Sequence, residues 1–133
     1  MRTGTAKALD PSLNEISRKI VDAAFVVHRN LGPGLLESVY RECMIFELQE
    51  RGLSVRSEVD VPVTYRGRTL VSTLRLDLLV EDAVIVELKA IEGILAVHRA
   101  QLLSYLRLAD KRLGLLINFN EVLVKNGISR IVN

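Results

Sequence analysis

The segment Arg75-Leu76-Asp77-Leu78-Leu79-Val80 is followed, after Glu81-Asp82-Ala83, by Val84-Ile85-Val86-Glu87-Leu88-Lys89, and this stretch decides the fold. The nearly continuous apolar run Val84-Ile85-Val86 is that of a strand buried on both faces. Glu81-Asp82 supplies the turn, so the two runs read as adjacent strands, with Asp77 ten positions before Glu87. Side chains alternate along a strand, so Glu87 and Lys89 share a face. Both interrupt an apolar pattern, and burying such charges is costly unless they pair or meet an ion.

Working outward, Val55, Ser57, Val59, Val61 and Val63 alternate with Arg56, Glu58, Asp60 and Pro62. That period predicts a strand, with Pro62 marking an edge position or a strand end. Tyr65-Arg66-Gly67-Arg68 reads as a hairpin turn into a strand over 69–80. Two helices precede the strands. Asp10-Pro11-Ser12 reads as a helix start, with Ser12 a candidate N-cap and Glu15 its capping-box partner. Ile16, Ile20, Ala23, Val27 and Leu31 then recur at helical spacing up to a stop near Asn30, before Gly32-Pro33-Gly34. A second helix is expected from Leu36 to Arg51, with Val39, Cys43, Phe46 and Glu50 on one stripe and Leu35, Met44 and Leu48 beside it. Gly52 stops it.

Downstream, 96–109 predicts a third helix with Leu102, Leu103, Leu106 and Ala109 as its apolar face. Strands follow at 113–119 and 128–132. The order is α-α-β-β-β-α-β(-β): an α/β fold with a mixed sheet flanked by helices. The helix between the third and fourth strands implies a right-handed crossover with those strands parallel. Length and the absence of a linker or repeat point to a single domain over residues 1–133, with residues 1–10 as a flexible leader.

The chain has 133 residues, 49% hydrophobic and 26% charged, which fits an ordinary globular protein. Net charge is only +2, so charge alone argues neither for nor against a nucleic-acid partner. Of the 18 basic residues 13 are Arg, whose forked donors suit phosphate. The lone Cys43 excludes an intrachain disulfide and a cysteine metal cluster, and reads as a small core residue. No apolar run is long enough for a membrane span and no signal-peptide pattern opens the chain, so a cytoplasmic protein is expected.

Three segments carry candidate chemistry. Asp77 and Glu87 side by side repel each other, and a hard divalent cation removes that repulsion. With Lys89 to orient water or steady charge on a phosphate, these are parts suited to hydrolysing a phosphodiester. The plainer alternative is a Glu87–Lys89 ion pair at a strand end, with Asp77 in a turn. Gln101 and Tyr105 lie four apart on one helix face with His98 nearby, where they either cover that site or form a solvated face. The preferred reading of His98 is a surface residue near the helix start. Glu37 opens the second helix, where the dipole favours a carboxylate, and Tyr40 is one turn on. They read equally as a cap and a half-buried packing aromatic.

Together these segments resemble the GxxExxY proteins, a branch of the PD-(D/E)XK nuclease superfamily. The signature is similar to Gly34-x-x-Glu37-x-x-Tyr40. The likeness runs from Ile16 to Val132 through the two segments quoted first, Ala100-Gln101-Leu102-Leu103-Ser104-Tyr105-Leu106 and Gly114-Leu115-Leu116-Ile117-Asn118-Phe119. The resemblance implies a restriction-endonuclease-like core and Mg²⁺ or Mn²⁺ held by Asp77, Glu87 and the Leu88 carbonyl, with Glu37 completing the shell. It implies that Lys89 assists the attacking water and that Gln101 and Tyr105 hold the site and the strand. Leu76 stands where the superfamily's name has proline. The expected function is metal-dependent hydrolysis of nucleic acid, DNA first, with a homodimer as one way to enlarge so small a DNA surface. The rival reading is a catalytically silent module with the nuclease fold, binding nucleic acid or protein. An oxidoreductase accessory role finds no glycine-rich nucleotide loop or haem motif.

Overall fold

The computed structural model describes residues 8–133. Two helices, α1 (Pro11–Leu31) and α2 (Glu37–Glu50), lead into β1 (Val55–Tyr65), β2 (Arg68–Val80) and β3 (Val84–Lys89). Helix α3 (Ala96–Ala109), β4 (Leu113–Asn118), a 3-10 turn (Val124–Gly127) and β5 (Ile128–Val132) complete the chain. The strands form one sheet in the order β1-β2-β3-β4-β5. Only β3 and β4 run parallel, joined through α3, and every other pair is antiparallel. The mixed α/β architecture is the one expected, with β1 and its Pro62 at an edge. The 3-10 turn was not foreseen.

The sheet separates two cores. Leu78, Val80, Val84, Val86, Leu88, Leu115 and Ile117 meet α1 and α2 on one face. Leu79, Ile85 and Leu116 meet Leu102 and Leu106 of α3 on the other. Strand β3 is therefore buried on both sides, which explains its unbroken apolar run.

Several local expectations change. Helix α1 is capped by Asp10, whose carboxylate accepts the Ser12 N–H at 2.9 Å, and not by Ser12. Pro11 then fills the first turn, where its missing N–H costs nothing. Leu9 packs against the first core, so the flexible-leader reading does not extend to Leu9 and Asp10. Residues 1–7 of that leader lie outside the described residues. On α2 the buried stripe is Tyr40, Met44 and Leu48, while Phe46 is exposed. The rotation follows Tyr40, whose ring stacks on Phe119 with centroids 4.6 Å apart and planes at 6°. Cys43 is half-buried against the first core.

Candidate active site

Paired strands continue β2 onto β3 only as far as Leu78 opposite Val86. Extending that register sets Asp77 opposite Glu87, but here side chains replace the ladder. The Asp77 N–H donates to Glu87 Oε2 at 2.9 Å, and Asp77 Oδ2 accepts the Leu88 N–H at 2.8 Å. Each carboxylate thus uses one oxygen to finish the sheet and keeps the other. Backbone amides at the end of a ladder need partners, and these two acids supply them.

Strand alternation breaks at the same place. Leu79 and Leu76 both enter the second core although three positions separate them, while Leu78 and Val80 enter the first. The shift falls at Asp77. On β1 the residue facing it, Glu58, leaves the pairing register and takes a left-handed φ of 51°. Arg41 of α2 lies 3.9 Å from its carboxylate. A bend of this kind re-aims side chains and is common beside active sites.

The Lys89 carbonyl accepts the Phe119 N–H at 2.9 Å, which ties it to β4. Amide direction alternates along a strand, so the Leu88 N–H and carbonyl point the other way, toward β2 and Asp77. The Leu88 carbonyl therefore opens on the edge where the two carboxylates meet. Lys89 and Glu87 share a face but make no direct ion pair among the described residues.

Glu37 reaches the group from α2. Gly34, with φ at 97°, turns the chain before the helix. The buried Tyr40 hydroxyl donates to the Gly32 carbonyl at 2.6 Å and accepts the Leu35 N–H at 3.1 Å. A glycine to turn, a tyrosine to clamp the turn and a glutamate between them make one device that aims Glu37. Tyr40 itself is a fully buried structural residue.

Electrostatics tie these residues together. Burial first, and then the Asp77 charge, push Glu87 up to about 8, against the opposing pull of the Asp77 N–H and Lys89. Glu37 is raised by burial and by Asp77, with Lys89 and Arg41 pulling the other way. Tyr105 is raised by burial, then by Glu87 and Asp77. Glu37, Asp77, Glu87, Lys89 and Tyr105 are therefore close enough to feel one another's charge near the end of the β2–β3 pairing. Gln101 sits one turn before Tyr105, exposed, and hydrogen-bonds to no described residue. His98 caps α3, its Nδ1 accepting the Leu95 N–H at 2.9 Å.

Two residues of the site carried no assigned role in the sequence. Arg41 offsets charge beside Glu37 and Glu58. Asn118, fully buried at the end of β4, accepts the Ile91 N–H at 3.1 Å, donates to the Ile91 carbonyl at 2.9 Å and so fixes the loop that leaves Lys89. An amide closing the apolar run 113–117 was the signal for it.

The excess negative charge of two adjoining acids, each with an oxygen outside these hydrogen bonds, fits a hard cation, whose shell the Leu88 carbonyl and water would complete. Among the described residues, however, no three His, Cys, Asp or Glu side chains gather closely enough to hold an ion by themselves. The donor set for such an ion would be two carboxylates and a carbonyl, with Glu37 within range of their charge.

No curated protein and no solved structure matches this sequence. The family profile of the PD-(D/E)XK nuclease superfamily matches residues 14–131, a span that holds both acids, the lysine and all of the sheet but the last residue of β5. On that match over nearly its whole length, the chain belongs to the PD-(D/E)XK nuclease superfamily.

Proposed function

We propose that the chain is a metal-dependent nuclease of the GxxExxY branch that hydrolyses phosphodiester bonds in DNA. The observation that carries this is the exchange of hydrogen bonds between Asp77, Glu87 and Leu88 beyond the end of the β2–β3 ladder, with Lys89 beside it. A bound Mg²⁺ or Mn²⁺ would neutralise the acids, polarise the scissile phosphate and lower the cost of forming hydroxide. The chain's own groups do the rest. Asp77 and Glu87 supply ligand oxygens already oriented by backbone amides. Lys89, unpaired with either acid, offers N–H donors to the attacking water and the phosphate oxygens. Glu37 borders the site from α2 and Tyr105 from α3, and Gln101, one turn before Tyr105, is assigned to the bound strand. The water releases a proton to solvent as its oxygen bonds to phosphorus, the bond to the departing sugar oxygen breaks, and that oxygen takes a proton back from solvent. A reducing cytoplasm suits the single, half-buried cysteine, and among the described residues no helix is long and apolar enough to cross a membrane.

The test is cleavage of single- and double-stranded DNA, and of RNA, with Mg²⁺ or Mn²⁺. Asp77→Asn and Lys89→Ala should each remove cleavage while the fold persists; cleavage that survives either substitution contradicts the assignment. One observation favours a catalytically silent module instead, namely the lack of a three-acid cluster among the described residues. Mn²⁺ titration by calorimetry separates the two, since a silent module need not bind the ion.

A further inference from the structure

The outer part of the β1–β2 hairpin projects from the sheet beyond the candidate site. From 61 to 76 it contains Arg66, Arg68 and Arg75 and no acidic residue. Arg75 is paired with Asp60 at 3.4 Å, but among the described residues Arg66 and Arg68 have no ion-pair partner. They flank Gly67 at the turn, where Arg66 (φ 50°) and Gly67 (φ 79°) make the two-residue left-handed link. Tyr65 beside them is 64% exposed, and with the two arginines it lines one surface concavity. Leu70 and Val71 are also exposed where β2 carries extra residues opposite Pro62 and Thr64. Nothing in the fold requires two unpaired guanidinium groups and an exposed ring at this tip.

Resting on the nuclease reading, we propose that this tip is a second grip on the nucleic-acid strand, in which Arg66 and Arg68 hold backbone phosphates and Tyr65 stacks on a base. Guanidinium forks match phosphate, and an aromatic face accepts any base. A second copy of the chain is the poorer occupant. Two tips meeting would gather four arginines with no acid from 61–76 to neutralise them.

Strand geometry sets the reach. Nine residues separate Arg68 from Asp77, which at roughly 3.4 Å each is at most about 30 Å. A strand advances at least about 3.4 Å per phosphate, the duplex value, and more when extended with its bases open to stacking, so the grip falls within about nine nucleotides of the scissile bond. Site and tip lie on the same strand, so a bound strand spans both and its length controls its affinity.

The experiment measures anisotropy of fluorescent oligonucleotides of 6 to about 20 nucleotides, length being chosen on that estimate, without added metal so that no strand is cut. It uses the full chain and the double variant Arg66→Asn with Arg68→Gln. Asn suits the left-handed turn position, so the hairpin is kept, and circular dichroism verifies it. The control, Arg29→Gln with Lys125→Gln, removes two exposed charges from the α1 side. The expected result is about a tenfold or greater weakening for long strands. The slope of log Kd against log salt should fall by about two, and the control should leave both unaltered. The deficit should grow with length and reach its full size by about nine nucleotides. Equal affinity and salt slope for wild type and the tip variant overturn the grip while leaving the nuclease reading intact. A wild type that binds no oligonucleotide and cleaves none overturns both. Concentration-dependent dimerisation lost in the tip variant would assign the tip to a second copy instead.

Discussion

Glu87 carries a cost of burial that titration makes measurable. It is buried beside Asp77, and its proton is held up to about pH 8. Between the ordinary glutamate range and that value, the folded chain keeps a proton that the unfolded chain has released. Stability therefore falls as pH rises through the window. Glu87→Gln removes this titration and keeps an acceptor for the Asp77 N–H. Thermal unfolding without added metal should find the variant close to wild type at pH 5. By pH 8 it should be the more stable, by on the order of a few kcal/mol at roughly 1.4 per pKa unit. A gap that does not widen with pH would show that the burial cost is met by other means. Lys89 tolerates no such exchange. In a cleavage assay Lys89→Arg should lose most activity, because a planar fork replaces a compact ammonium. Its register partner on β4, Asn118, holds the loop at Ile91 through side-chain hydrogen bonds to the Ile91 backbone.

At the scale of elements, the turn before α2 and the loop after β3 carry the precision of the site. Gly34 has open space around a would-be Cβ but a φ of 97°, so Gly34→Ala costs backbone strain alone, about 1–2 kcal/mol. Gly93→Ala, equally open and without a positive φ, should cost nothing comparable, and chemical denaturation of the pair checks this. Tyr40→Phe keeps the stack on Phe119 but leaves the Gly32 carbonyl and Leu35 N–H without their partner. It should cost about 1–3 kcal/mol and lower cleavage by loosening Glu37. A variant as stable as wild type would mean that the hydroxyl is not holding the turn. These elements also show what the sequence could and could not tell. The hairpin that sets Asp77 beside Glu87 was legible, because turn residues and apolar runs act locally. The buried stripe of α2 was not, because the Tyr40–Phe119 contact that sets its rotation joins residues far apart in the chain. The break in alternation at Asp77 was hidden for the same reason: it depends on Glu58 and Arg41 across two other elements. The N-cap went to Asp10 and not Ser12 because a proline between them fits the first turn of the helix.

Across the whole molecule, the site lies where both helical layers meet the end of the sheet. Glu37 comes from the α2 side, Tyr105 from α3, and the two acids and Lys89 from the strands between. An ion held there would engage groups that come together only in the folded chain, so its binding must raise stability by mass action. At a hundredfold excess over Kd, the gain is about 2.7 kcal/mol. For a chain of this size that is a rise in Tm on the order of 10 °C. The same ion must displace the proton on Glu87. Its affinity should therefore weaken by roughly tenfold for each pH unit below about 8. Scanning calorimetry with Mn²⁺ at pH 6, 7 and 8 tests both statements together. Wild type should gain most at pH 8 and least at pH 6, whereas Asp77→Asn should gain little at any of them. An equal gain in wild type and Asp77→Asn would place the ion elsewhere on the molecule, and a gain independent of pH would mean that Glu87 is not among its ligands.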